Sequence, residues 1–139
     1  MRAGRGKPSG AKHREWQMTN WPEQTKQTIA HLRTLRSGAS EVMKAFANMA
    51  QAATAPKALD TKTKELIALG IAVAARCDDC IGFHVKAAME HGATRQEIDE
   101  TLGMAIYMGA GPSVMYASHA VDAFEQFDKP AATAAVSAA

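Results

Sequence analysis

The chain has two cysteines in 139 residues, Cys77 and Cys80, so no network of disulfides can hold it together. Aromatic residues are only 6% of the chain, and proline is absent from Lys57 through Gly111. The apolar stretch Leu66 to Ala75 is too short and too rich in small residues to span a bilayer. No apolar signal-peptide core follows the basic start, and no lipidation pattern is visible, so the expected compartment is the cytoplasm. Charge of one sign is also missing overall, since the net charge is +2. That balance hides an asymmetry: residues 1–17 hold five basic residues against Glu15, a local +4 that leaves −2 for the rest. A mildly acidic body is a poor footprint for nucleic acid, and the basic arm reads as a tail. Met18 is a candidate natural start.

What is present is helical pattern. With 47% hydrophobic residues the chain can bury its own core without a metal or a staple. The expected organisation is a basic extension over residues 1–19, one domain over 20–128 and an Ala-rich tail over 129–139. Six helices are expected in the domain, and no strand-period segment competes with them, so the fold class is all-α. The first runs from about Pro22 to Leu35 and the second from Ala39 to Ala52, with Val42, Phe46 and Met49 on one face. The third is capped by Asp60 and carries Leu66, Leu69, Ala72 and Val73 on its buried stripe as far as Arg76. The fourth begins at Asp78 or Asp79 and closes at Gly92. Thr94 and Glu97 form a capping-box pattern for the fifth, which places Ile98, Leu102 and Ile106 inward. Gly109 to Pro112 should break it from a sixth helix ending at Phe127. The alanine-lined third helix needs a bulky partner, which a second subunit could supply.

The chemistry concentrates in Arg76-Cys-Asp-Asp-Cys-Ile-Gly-Phe-His84. A structural staple gains little here, because so short a loop removes little unfolded-state entropy. Zinc would be served by Cys77, Cys80 and His84 on one helical face, but no second cysteine pair exists to complete the set. His91 lies about 10 Å further along the helix, so Asp78, Asp79 or a distant carboxylate would have to serve. A c-type haem needs histidine directly after the second cysteine, and Ile81 stands there. A redox pair fits the start of a helix, where unpaired N–H groups favour a thiolate, and Arg76 acts in the same direction. Asp78 and Asp79 oppose it. His84, one turn beyond Cys80, could take the thiol proton. Thioredoxin places its cysteine pair between a strand and a helix, and this chain offers no strand.

Glu65, eleven intervening residues, Cys77-Asp-Asp-Cys80, three residues and His84 together resemble the active-site signature of AhpD-type alkylhydroperoxidases, within the carboxymuconolactone decarboxylase family. Gly92-Ala-Thr-Arg-Gln-Glu-Ile98 and Met108-Gly-Ala-Gly-Pro-Ser-Val-Met-Tyr116 are also similar to short single-domain members, and the likeness runs from about Val42 to Phe127. The resemblance implies a compact all-α domain assembled as a homotrimer or homohexamer. It implies that Cys80 attacks a hydroperoxide or disulfide substrate, that Cys77 resolves the product, and that His84 and Glu65 relay protons. The cofactor expectation is no bound group, only a redox-active Cys77–Cys80 disulfide restored by an external dithiol, in AhpD a lipoylated protein. The chain departs from the AhpD pattern at Asp79, where that motif has histidine. The decarboxylase branch lacks the cysteine pair. A non-redox lyase using His84 and Glu65, and a metal-binding or redox-sensing module, are the alternatives in other classes.

On a continuous helix Glu65 would stand about 18 Å from Cys77, so the relay requires the chain to reverse near Arg76. Otherwise Glu65 would be an exposed glutamate in a first turn. Tyr107, Tyr116 and His119 lie on or near the last two helices and could line the same pocket, though the plainer reading is helical packing with polar tips; Met104, Met108 and Met115 read as core or interface filling.

Overall fold

The computed structural model describes residues 18–129, so most of the expected basic extension and Ala-rich tail lie outside the described residues. Five helices follow one another: α1 (Trp21–Gly38), α2 (Ser40–Thr54), α3 (Thr61–Ala74), α4 (Asp78–Glu90) and α5 (Arg95–Asp128). Among the described residues there is no strand. No helix among them is long and apolar enough to cross a membrane.

The starts are set by side-chain caps that satisfy otherwise unpaired N–H groups. Asn20 accepts from the Glu23 amide at 3.0 Å and Asp60 from the Thr63 amide at 2.7 Å. Thr94 and Glu97 close the expected capping box, at 3.2 and 2.9 Å. The turns out of α3 and α4 are both Schellman motifs. After α3 the Arg76 amide donates to Val73 O and the Cys77 amide to Ala72 O. After α4 the corresponding donors are Gly92 and Ala93. Each motif needs one left-handed residue. Gly92 supplies it at φ 86°, whereas the first turn uses Arg76 at φ 57°.

The break expected over Gly109 to Pro112 is present: Ala110 leaves the helical region (φ 50°, ψ −141°), so α5 is two helices joined across a kink. Pro112 has no amide to donate back into the helix, which explains a kink. Gly109 is required at this kink by close approach, because a Cβ there would stand 1.9 Å from the Ser113 hydroxyl oxygen.

The core is where α3, α4 and α5 meet. Leu69, Val73, Ile81, Val85 and Ile98 are fully buried, with Ala72, Ala88, Ala117, Ala120 and Ala123 letting the helices approach closely. Trp21 fastens α1 to this group. Its ring is buried, its indole N–H donates to Asp122 at 2.8 Å and its amide to Gln126 at 2.9 Å. Gly82 of α4 lies beneath that ring, where an added Cβ would stand 3.1 Å from it.

α2 departs from this pattern. It has no buried residue, and Val42, Phe46 and Met49, its apolar face, are 70%, 58% and 60% exposed. Ile67 and Ile71 of α3 and Met104 and Met108 of α5 are exposed as well. They border a groove of about 480 Å³.

Candidate active site: a cysteine pair and two histidine–carboxylate pairs

α4 opens on the cysteine pair. Cys77 is its N-cap residue, and the Cys80 amide donates to the Cys77 sulfur at 3.3 Å. A sulfur in that position replaces the oxygen of an ordinary Ser or Asp cap and faces the positive end of the helix dipole. Cys77 and Cys80 are joined in a disulfide.

The reversal at Arg76 lays α3 against α4, and this decides the position of Glu65. Its carboxylate is buried, and Oε2 lies 2.7 Å from His84 Nδ1. The exposed-glutamate alternative therefore does not hold. A carboxylate can only accept, so the pair fixes the proton on Nδ1 and leaves Nε2 as the acceptor. The His84 side chain is 34% exposed, open enough to exchange protons with solvent or substrate. The sequence brought Glu65 and His84 together only by resemblance. Helix α3 ends in a left-handed residue that composition did not announce, and that turn supplies the physical reason.

The two aspartates between the cysteines are each engaged by another helix. Asp79 Oδ1 accepts from Gln24 Nε2 and Thr28 Oγ1 of α1, both at 3.0 Å. Asp78 Oδ1 lies 2.7 Å from Nδ1 of His119 in α5. His119 also stands against Tyr116 (centroids 4.9 Å) and Trp21 (6.3 Å). His119, with Tyr116 against it, thus reaches the residue next to Cys77, whereas Tyr107 is 79% exposed. Nothing in the sequence links positions 78 and 119; a histidine three residues after a tyrosine is common on helices and gives no cue. Among the described residues no group of three His, Cys, Asp or Glu side chains converges to hold a metal ion.

Fold and site together define a small all-α protein built on a helix-capping cysteine pair and a buried histidine–carboxylate pair. The chain belongs to the carboxymuconolactone decarboxylase family, whose profile matches residues 40–123. An uncharacterized protein of Cupriavidus necator is 46% identical over 83 residues, 60% of this chain and 74% of that one. The apo crystal structure of a carboxymuconolactone decarboxylase family protein from Legionella pneumophila superposes with a TM-score of 0.77 at 51% identity, covering 78% of this chain and 97% of that one. A family protein from Thermotoga maritima does so with a TM-score of 0.68 at 32% identity, covering 74% and 88%.

Proposed function

We propose that the protein is a thiol-dependent oxidoreductase of the alkylhydroperoxidase or disulfide-reductase type. The observation that carries this reading is the buried Glu65 held on His84 Nδ1, one helical turn beyond a cysteine that already has a thiol partner. Peroxide reduction needs those parts: a nucleophilic sulfur, a base, and a second thiol to trap the sulfenic acid before further oxidation. For the Thermotoga maritima protein, involvement in an antioxidative response has been suggested.

In the proposed cycle the Cys80 thiol loses its proton to His84, whose cationic form Glu65 stabilises. The Cys80 thiolate attacks a hydroperoxide; an S–O bond forms, the O–O bond breaks, and the alkoxide takes a proton and leaves as an alcohol. Cys77 then attacks the sulfenic acid. The S–S bond forms, the S–O bond breaks, and hydroxide leaves as water with the proton of the Cys77 thiol. An external dithiol, for which a lipoylated protein is the candidate, returns two electrons and restores both thiols.

The same reading makes the working form a homotrimer or homohexamer. The exposed apolar face of α2 and the open α3–α5 groove support it, since a soluble monomer rarely leaves so much contiguous apolar surface in water.

The test is turnover of an organic hydroperoxide with a dithiol donor. Cys80→Ser should abolish it, and Cys77→Ser should stop it after a single turnover with a sulfenic acid left on Cys80. Full turnover by Cys80→Ser would falsify the mechanism.

A further inference from the structure

Two histidine–carboxylate pairs involve α4, the helix that opens on the disulfide, and the cycle above uses only one. Glu65 and His84 stand one turn beyond Cys80. Asp78, paired with His119 of α5, directly follows Cys77 in the chain. We propose that His119 is a positioning residue for Cys77, acting through Asp78 to offset the negative charge beside that sulfur and so sustain its thiolate. The proposal deepens the thiol–disulfide reading and rests on it.

Both halves of the cycle need a Cys77 thiolate. In disulfide formation the Cys77 thiol gives up its proton, its sulfur bonds to Cys80, and hydroxide leaves the sulfenic acid as water. In reduction a thiolate of the external dithiol attacks Cys80, the Cys77–Cys80 bond breaks, and Cys77 leaves as thiolate. The donor's second thiol then displaces Cys80, and two electrons have passed to the pair. A leaving thiolate is better the more its charge is stabilised.

The fold supplies one such stabiliser in the α4 N-terminus and the Cys80 amide. Two carboxylates in the first turn of the same helix oppose it. Asp79 is covered by the neutral donors Gln24 and Thr28, which disperse its charge without offsetting it. Among the described residues, the group paired with Asp78 is His119, which when protonated brings a positive charge to 2.7 Å. The groups facing that imidazole are few. Asp78 comes from α4 and Tyr116 from α5 itself. α1 contributes the uncharged Trp21 ring, whose N–H takes up the nearby Asp122. Arg76, on the other side of Cys77, has no ion pair among the described residues and adds to the same field. Both partners are partly exposed, 40% for His119 and 46% for Asp78, so the effect on the sulfur is modest and screened by salt.

A merely structural His119 would tie α4 to α5, and its loss could not be repaired by removing a charge. That difference is the test. In the reduced full-length chain, the rate of iodoacetamide alkylation at Cys77 is followed by peptide mass across roughly pH 6–9, where thiolate fraction sets the rate. At low salt and neutral pH, His119→Gln should slow Cys77 about threefold, as expected for a nearby charge screened by solvent. Asp78→Asn should be no slower than wild type, and the double variant should recover to within about twofold of it. The difference should shrink in about 1 M salt, where the Debye length is short. An unchanged rate in His119→Gln, or a double variant as slow as the single one, overturns the proposal. Should His119→Gln not fold, Asp78→Asn decides: a rate below wild type is the overturning result. The parent reading fails separately, if the wild-type pair does not cycle between dithiol and disulfide with a dithiol donor.

Discussion

Replacing Glu65 by Gln keeps the buried volume and an acceptor for His84 Nδ1 but removes the charge that stabilises a protonated imidazole. Peroxide turnover should fall by about tenfold, less than the roughly 10²–10⁴-fold that a general acid–base group itself contributes, because His84 is kept. Oxidation of the pair by an added disulfide should slow as well, because Cys80 must give its proton to His84 before it attacks a disulfide too. A Glu65→Gln protein with wild-type peroxide turnover would remove Glu65 from the relay. Glu65→Leu asks a different question. It leaves His84 Nδ1 without its acceptor inside the α3–α4 contact, and the expected cost is about 1–3 kcal/mol of stability, read by denaturant titration. At this scale the sequence showed the residue types and their spacing. It did not show that Asp78 and Asp79 would find partners on α5 and α1.

At the scale of helices, the turns carry the testable energetics. Ala110 sits at φ 50°, ψ −141°, a region in which a Cβ is strained and glycine is not. Ala110→Gly should therefore stabilise the protein by about 1 kcal/mol and raise its melting temperature by several degrees. A fall in melting temperature would mean that the kink stores no strain. The caps make a second prediction. Hydrogen bonds from the side chain and amide of Thr63, then the charge of Lys62, hold the Asp60 carboxyl below its ordinary range. The Lys62 ammonium and then the Thr94 amide do the same for Glu97. Each therefore contributes stability that is fully present above the ordinary carboxylate range and is lost as pH falls through the lowered folded value. Glu97→Gln should flatten the acid limb of the stability–pH curve and lower stability at neutral pH, where the Lys62 contact is lost. Equal curves for variant and wild type would contradict it. Helix existence, the caps at Asp60 and Thr94 and the glycine stop at Gly92 were legible because each is a local rule. The break over Gly109 to Pro112 was legible too, since Pro112 cannot donate into a helix, but that the positive φ would fall on Ala110 and not on a neighbouring glycine was not.

At the scale of the molecule, α2 poses the main question. Its Val42, Phe46 and Met49 repeat on one face, yet that face meets water. A homotrimer or homohexamer should appear by light scattering after gel filtration, and Phe46→Glu should shift it toward the monomer with the helical circular dichroism of α3 to α5 retained. Ile71→Glu, in the groove, should act in the same direction. A monomeric wild-type protein would sink the expected assembly. The sequence by itself determined the all-α class, the helix starts and the identity of the cysteine pair, because periodicity, capping and chemical type are short-range properties of the chain. Tertiary structure alone decided that Glu65 reaches His84 and that His119 reaches Asp78. Those contacts depend on a left-handed turn at Arg76 and on the packing of α5 across α4, and neither angle is written in any local pattern.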